Sequence, residues 1–365
     1  MKQKKLIIFM PSIEGGGVEK NLFLISYYLS NKIDKVCLIT ASKKYKKKFN
    51  KKIKLILPEF NFWDKLGRKM KYFVCLFLLF KQIVKNKNVL VLCFQANIYC
   101  TILCKVFRRK IIIRSNSSPS GWSNNFLKNT IYKYMLKKPD QVLVNSLEFR
   151  KQLKKRFNVN ADCIYNPLNK DEVIKKSRKK SLKIFRNKKG LKIINVGRFV
   201  DQKDQLTMLK ALNLLSKKID FEAVLVGSGI LKESLINYVK KNKISDKVKF
   251  ISFSQNPYPL IAQSDLVILS SKYEGLPNVL LEALALKKFI ISSDCPTGPK
   301  EILLNGKGGL LFKVGDFTGL ERKISYYLSN KKICKSMLNN AINKLDRFDY
   351  NINLKKYLFA IKKFI

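Results

Sequence analysis

The chain has no histidine, and that absence removes a large share of enzyme chemistry. No Ser-His-Asp or Cys-His nucleophile can be built. Histidine-ligated zinc or iron and histidine general bases are excluded with them. Carboxylates are scarce as well: 25 Asp+Glu stand against 74 Lys+Arg, a formal net charge of +49. The eight cysteines, Cys37, Cys75, Cys93, Cys100, Cys104, Cys163, Cys295 and Cys334, contain no Cys-x-x-Cys pair. They read as buried free thiols in a reducing compartment. Long apolar runs are missing too. The longest, Tyr72 to Phe80, falls far short of the ~20 residues that span a bilayer. Leu6 to Met10 is too short for a signal peptide's apolar region and leads into Pro11 and a glycine loop. There is no Asp-x-Asp, a carboxylate pair that can hold Mg or Mn, so no metal is expected.

What is present is a 365-residue chain that is 46% apolar, long enough for two domains and too apolar for a disordered basic tail. The positive charge is mostly lysine, spread from end to end. DNA readers concentrate arginine on one element, because its fork pairs with guanine. An anionic membrane surface is therefore the favoured partner, against compositional bias alone, and nucleic acid is not expected.

Continuous Val/Ile/Leu runs separated by helical patterns predict two α/β halves with parallel sheets. In the first half the strands are Leu6–Met10, Lys35–Thr40, Val89–Cys93, Lys110–Arg114 and Gln141–Asn145, with helices over Val18–Leu29 and Ile98–Phe107. In the second the strands are Leu191–Val196, Phe221–Val226, Val248–Ser252, Asp265–Leu269 and Phe289–Ser292, with helices over Gln205–Leu215, Leu231–Lys241 and Leu280–Leu286. Residues 171–189, rich in Lys, Arg and Ser, read as a linker region. The expected domains are 1–170 and 190–347, and ligands of such sheets bind at the carboxyl ends of the strands, in a cleft between the two.

Four segments at those strand ends carry chemistry. Gly15-Gly16-Gly17 opens a helix whose amides suit an anion, although it is not Gly-x-Gly-x-x-Gly and no P-loop Lys follows. Gly197, Arg198 and Lys203 place two cations in one loop, suited to a diphosphate, or simply solvated. Glu274-Gly275-Leu276-Pro277-Asn278, followed by Glu282, brackets a helix N-terminus with two carboxylates able to accept from sugar hydroxyls. Gly298-Pro299-Lys300-Glu301 is another such turn, and Asn116 and Ser117, after Arg114, form a polar loop able to hold hydroxyls.

Together these residues resemble the retaining glycosyltransferases of family 4. The resemblance rests on the glycine loop at 15–17, Gly-Arg-x4-Lys at 197–203, Glu274-x7-Glu282 and Gly-Pro-x-Glu at 298–301, and runs in order from Met1 to about Phe348. Asp294-Cys-Pro-Thr-Gly-Pro299 and Arg114-Ser-Asn-Ser117 are similar to bacterial transferases that build lipid-linked glycans or lipopolysaccharide. The resemblance implies the GT-B arrangement of two Rossmann-like domains, acceptor in the first and nucleotide sugar in the second, with the last helix, 348–365, crossing back to the first. It implies that Arg198 and Lys203 neutralise the donor diphosphate. Glu282 then holds the ribose, Glu274 contacts the hexose, and Gly16 and Gly17 border the diphosphate and acceptor. Many relatives carry a histidine facing the donor sugar; here Asn116 is assigned to that wall. No cofactor is implied, because the UDP-sugar is a substrate. A front-face mechanism needs no protein nucleophile, only orientation and stabilisation of the leaving diphosphate.

Residues 60–87 carry Trp63, Leu66, Met70, Phe73, Val74, Phe77, Leu78 and Phe80 at helical spacing, surrounded by Lys65, Arg68, Lys69, Lys71, Lys81 and Lys85. This is either a basic amphipathic helix for a bilayer interface or a core-facing helix with solvated lysines. The expectation is a peripheral enzyme on the cytoplasmic leaflet that moves a hexose or N-acetylhexosamine from a UDP-sugar to a lipid-linked or lipopolysaccharide acceptor. A non-catalytic scaffold of the same fold, an epimerase and a nucleic-acid binder are the competing readings.

Overall fold

The computed structural model describes residues 5–116, 119, 126–186 and 189–365. The chain folds as two compact units, Met1–Pro167 with Asn351–Ile365, and Leu168–Tyr350.

The first unit runs β1 (Lys5–Phe9), α1 (Gly17–Ser30), β2 (Val36–Ile39), β3 (Lys54–Ile56), α2 (Arg68–Lys85), β4 (Val89–Cys93), α3 (Asn97–Val106), β5 (Lys110–Arg114), α4 (Phe126–Met135), β6 (Gln141–Val144), α5 (Leu147–Phe157) and β7 (Asp162–Cys163). Its sheet has the order β3-β2-β1-β4-β5-β6-β7, and every recorded pairing is parallel. The central strands are buried along their whole length, as expected of a parallel sheet with helices on its faces. Val74, Cys75, Leu79 and Ile83 of α2, Cys100 and Cys104 of α3 and Phe149 and Leu153 of α5 share one core with Ile7, Val91 and Ile113 of the sheet. Each such aliphatic side chain contributes about 1.5–3 kcal/mol by leaving water.

The second unit runs α6 (Lys170–Ser177), β8 (Leu191–Val196), α7 (Gln205–Leu215), β9 (Phe221–Val226), α8 (Lys232–Lys241), β10 (Val248–Ile251), α9 (Tyr258–Ala262), β11 (Leu266–Leu269), α10 (Asn278–Ala285), β12 (Phe289–Ser293), α11 (Pro299–Ile302), β13 (Leu310–Phe312), α12 (Phe317–Ser329) and α13 (Lys331–Asn343). Its order is β10-β9-β8-β11-β12-β13. The chain builds outward from β8 in one direction, then returns to β8's other side and builds outward from β11. Helix α14 (Tyr350–Lys362) belongs to the first unit, with Leu354, Tyr357, Ala360 and Ile361 buried.

The stretch read as a linker, 171–189, requires correction: what is described of it is built into the second unit. The Asn169 side chain caps α6 by accepting from Glu172 N–H at 3.0 Å, and Val173 is buried. Ile184 and Phe185 are buried too, and Ile184 N–H donates to Gln263 at 3.0 Å. A lysine-rich composition concealed three well-placed apolar residues. The helix expected over 60–87 is also shorter than expected. Asn61–Lys65 is a 3-10 turn, Leu66 and Gly67 are extended, and α2 starts at Arg68. Helix α2 combines the two readings, because it buries one apolar stripe and exposes another.

Asp140 ties the first sheet together. Its carboxylate accepts from Lys105 at 2.6 Å, from Lys110 at 2.9 Å and from Ile111 N–H at 2.9 Å. Burial alone would push this carboxyl up, but those three donors prevail and hold it below the usual range. A depressed pKa means stability that is present above the unfolded value of ~3.9 and lost as pH falls through the folded one. We expect Asp140→Asn to be less stable at neutral pH and to lose less stability below about pH 4, so its urea midpoint against pH should have a shallower acid limb.

Candidate active site

In the second unit the strand order reverses between β8 and β11, and open α/β sheets bind ligands at the carboxyl ends of the strands flanking such a reversal. The loop after β8, 197–204, and the loop after β11, 270–277, meet there. The Gln202 side chain donates to Tyr273 O at 2.9 Å, Lys272 N–H to Gln202 O at 2.8 Å, and Ser270 Oγ to Lys203 O at 3.1 Å. From below, Gln205 Nε2 donates to Arg198 O at 3.0 Å. These bonds fix the backbone that carries Arg198 and Lys203. Gly227, at the end of β9, is required by the same packing, since a Cβ there would sit 1.9 Å from Gly197 O.

Glu274 is the centre of this group. Its side chain is 6% exposed, forms an ion pair with Lys203 Nζ and accepts from Ser271 Oγ at 2.6 Å. The third loop, after β12, supports it from beneath. Thr297 Oγ1 donates to Glu274 O at 2.7 Å and to Gly275 O at 3.1 Å. Thr297 does so with φ +65°, a left-handed conformation that costs a β-branched residue on the order of 1–3 kcal/mol. Next to it, Gly298 has φ +70° and lies so close to Gly275 that a Cβ would fall 2.0 Å from Gly275 O. Leu276 is buried, Pro277 caps α10 and Asn278 is its first residue. Glu282 sits just over a turn into α10, also buried. Arg198 is exposed at the rim of the same loop. Burial, reinforced by the negative charge of Glu274, pushes the Cys295 thiol up to about 12, so this neighbour is a neutral wall rather than a nucleophile.

In the first unit the carboxyl ends of β1, β4 and β5 form the corresponding reversal. Here the glycine loop differs from the expectation. Gly16 N–H donates to Glu19 Oε2 at 2.9 Å and Glu14 N–H to Glu19 Oε1 at 3.3 Å. Glu19 lies at the third position of α1 and reaches back to cap it, so one amide of the glycine loop, that of Gly16, holds the chain's own carboxylate. Gly17 opens α1. Glu14 pairs in turn with Arg68 at the start of α2. Asn116 Nδ2 donates to Phe94 O at 3.0 Å, which places it beside the end of β4; Ser117 lies outside the described residues.

The sequence reading missed Ser271, which donates to the Glu274 carboxylate, and Gln202, Gln205 and Thr297, which hold loop backbone, and it missed Arg114 as a structural centre. Arg114 is 0% exposed. Its Nε donates to the Tyr357 hydroxyl and its Nη2 to Asn166 Oδ1, each at 2.7 Å, with the guanidinium over the Phe94 and Tyr357 rings. Asn166 and Tyr357 flank the two points where the chain leaves and re-enters the first unit.

Comparison with known proteins decides what this arrangement belongs to. Residues 176–344, nearly all of the second unit, match the family of glycosyl transferases group 1. The protein carries a group 1 glycosyltransferase domain. The transferase is 26% identical over 262 residues, 69% of its length and 70% of the relative's, to the N-acetylgalactosamine-N,N'-diacetylbacillosaminyl-diphospho-undecaprenol 4-alpha-N-acetylgalactosaminyltransferase of Campylobacter jejuni. A second Campylobacter jejuni enzyme, GalNAc-alpha-(1->4)-GalNAc-alpha-(1->3)-diNAcBac-PP-undecaprenol alpha-1,4-N-acetyl-D-galactosaminyltransferase, is 25% identical over 98% of both chains. Among solved structures, Anabaena HepE in complex with UDP and glucose superposes with a TM-score of 0.78 at 17% identity, covering 99% of this chain and 100% of that one. The fold is GT-B, two Rossmann-like domains in series. Among the described residues, no helix is long and apolar enough to cross a membrane.

Proposed function

We propose that the transferase moves a hexose or N-acetylhexosamine from a UDP-sugar to a lipid-linked saccharide or lipopolysaccharide precursor, with retention of configuration and without a metal, as a peripheral protein on the cytoplasmic leaflet. The observation that carries this reading is the Lys203–Glu274 pair, held by three loops at the β8/β11 reversal. A buried carboxylate suits sugar hydroxyls, and the cation beside it suits the departing phosphate. The printed activities of the two Campylobacter relatives support a lipid-linked acceptor, and the UDP in the Anabaena complex supports the nucleotide.

In the proposed step the bond from the anomeric carbon to the β-phosphate oxygen breaks, and the acceptor hydroxyl adds on the same face. Its proton passes to the departing phosphate oxygen. Arg198 and Lys203 offset the charge that grows on that oxygen, and Glu274 and Glu282 hold the hexose and ribose hydroxyls. None of these roles needs a nucleophile or histidine, and the work left to the protein is orientation and electrostatics.

The test is UDP release from a panel of UDP-sugars with bacterial lipid extract as acceptor, followed by the anomeric configuration of the product. Release with one sugar, dependent on extract and giving a retained product, is expected. An inverted product would overturn the mechanism. Loss of activity on chelation, restored by Mg or Mn, would overturn metal independence. Absence of nucleotide binding would favour the scaffold reading.

A further inference from the structure

One face of the first unit combines two properties that seldom occur together. Helix α2 points Val74, Cys75, Leu79 and Ile83 into the core, yet Phe73, Phe77, Phe80 and Val84 form a second apolar stripe exposed to solvent, with Phe73 69% exposed. The spacing of 4, 3 and 4 residues puts these four on one side of the helix. Helix α3 packs against α2 and repeats the pattern with exposed Tyr99, Ile102 and Val106, the last also 69% exposed. Helix α4 packs against α3 and adds exposed Ile131 and Tyr134. Phe80 of α2 meets Phe107, at the end of α3, edge to face at 5.5 Å, which joins two of the stripes. An apolar surface of this extent marks an interface rather than ordinary exposure.

The charge around this surface identifies its occupant. From Lys65 to Pro139, the stretch that contains all three helices, the chain has no aspartate or glutamate and sixteen lysines and arginines, of which Arg114 is buried and Arg68, Lys71, Lys105 and Lys110 pair with carboxylates outside the stretch. A protein partner is matched by charges of both signs, whereas an anionic bilayer repels every carboxylate and attracts every cation. Several lysines are placed as interfacial residues. Lys81 Nζ lies 4.6 Å from the centroid of exposed Phe77, and Lys138 Nζ lies 4.3 Å from that of Tyr134. Beside the turn that precedes α2, residues Lys43–Lys48 form a second basic turn, with Lys44 and Lys48 over the ring of Tyr45. Aromatic rings at headgroup depth with ammonium groups around them are the composition of an interfacial helix surface.

We infer that the outer face of α2, α3 and α4 is a docking surface for an anionic lipid bilayer, seated by the exposed aromatic stripes and held by the predominantly basic rim. This deepens the proposed function and rests on its membrane-linked acceptor, but it is testable without any sugar. Purified protein is sedimented with phosphatidylcholine vesicles, with and without phosphatidylglycerol. Strong binding only when phosphatidylglycerol is present, weakened by salt, is expected. The Phe73→Ser/Phe77→Ser double variant should bind about tenfold more weakly or worse. Its thermal melt and its UDP affinity by calorimetry should be unchanged, because both side chains are exposed on the first unit. Binding equal to wild type in that variant would overturn the inference, as would equal binding to neutral vesicles. Wild type that binds no vesicles but self-associates, with a monomeric double variant, would assign the face to a second copy instead. Vesicle binding as expected without UDP binding in either protein would leave this surface standing and remove the proposed function.

Discussion

Lys203→Ala is expected to lower kcat for UDP release by about 10²–10³-fold, the range lost when a preorganised group that stabilises developing charge is removed. Lys203 is bound at both its ends. Its carbonyl accepts from Ser270 Oγ at 3.1 Å and its ammonium is paired with buried Glu274. Little reorganisation is therefore needed when charge grows on a departing phosphate beside it. The alanine variant loses that cation and also leaves buried Glu274 with Ser271 as its only side-chain donor among the described residues. Lys203→Arg should recover only part of the loss, since a planar fork does not occupy the position of a compact ammonium. Glu274→Gln separates the two roles. It keeps an acceptor for Ser271 and a partner for Lys203, so a fall in kcat with little change in KM would assign the carboxylate to the transition state. Steady-state rates for all three variants with one donor are the measurement. Lys203→Ala within threefold of wild type would remove the pair from the reaction.

The largest expected effect on stability lies in the other unit. Tyr357→Phe removes one oxygen atom and should cost about 2–4 kcal/mol in urea unfolding of the first unit. That exceeds the ~1 kcal/mol of an average hydrogen bond, because the group left unpaired is a buried cation. Arg114 has 0% exposure and no recorded carboxylate partner, and its Nη1 already lacks a hydrogen bond. Its charge is held by the Tyr357 hydroxyl, Asn166 Oδ1 and two aromatic faces. Arg114→Met should cost less than Arg114→Ala, since methionine fills most of the volume without a charge to desolvate. If Tyr357→Phe cost under 1 kcal/mol, the guanidinium would be solvated in a way the geometry contradicts.

Much of the fold was legible because a parallel sheet writes itself as continuous aliphatic runs. The strands Val89–Cys93, Lys110–Arg114 and Leu191–Val196 have the bounds read from the sequence. The three-residue strands Lys54–Ile56 and Leu310–Phe312 were not found, since three residues carry no period. In the site, Gly197, Lys203, Glu274 and Glu282 stood out by residue type and spacing. Their supports did not: Thr297, Ser271 and Gln202 are ordinary polar residues until the loops are folded against one another. Gly16 departs from the expectation in one physical respect, the partner of its own amide. A glycine loop before a helix offers amides, and a glutamate at the third helical position competes for them, as Glu19 does. That spacing is visible in Gly16-Gly-Val-Glu19 and is the signal that was overlooked.

The bond between Arg114 and Tyr357 joins residues 243 positions apart, and residues 351–365 belong to the unit that the first 167 residues build. Domains commonly fold in the order in which they leave the ribosome. The connectivity of this chain works against that order. The second unit, 168–350, is continuous and can close as soon as it has emerged, whereas the first unit, translated earlier, waits for α14 with an unfilled apolar groove and a half-bonded guanidinium. A transcript cut at codon 350 would yield an intact second unit joined to an unfinished first one.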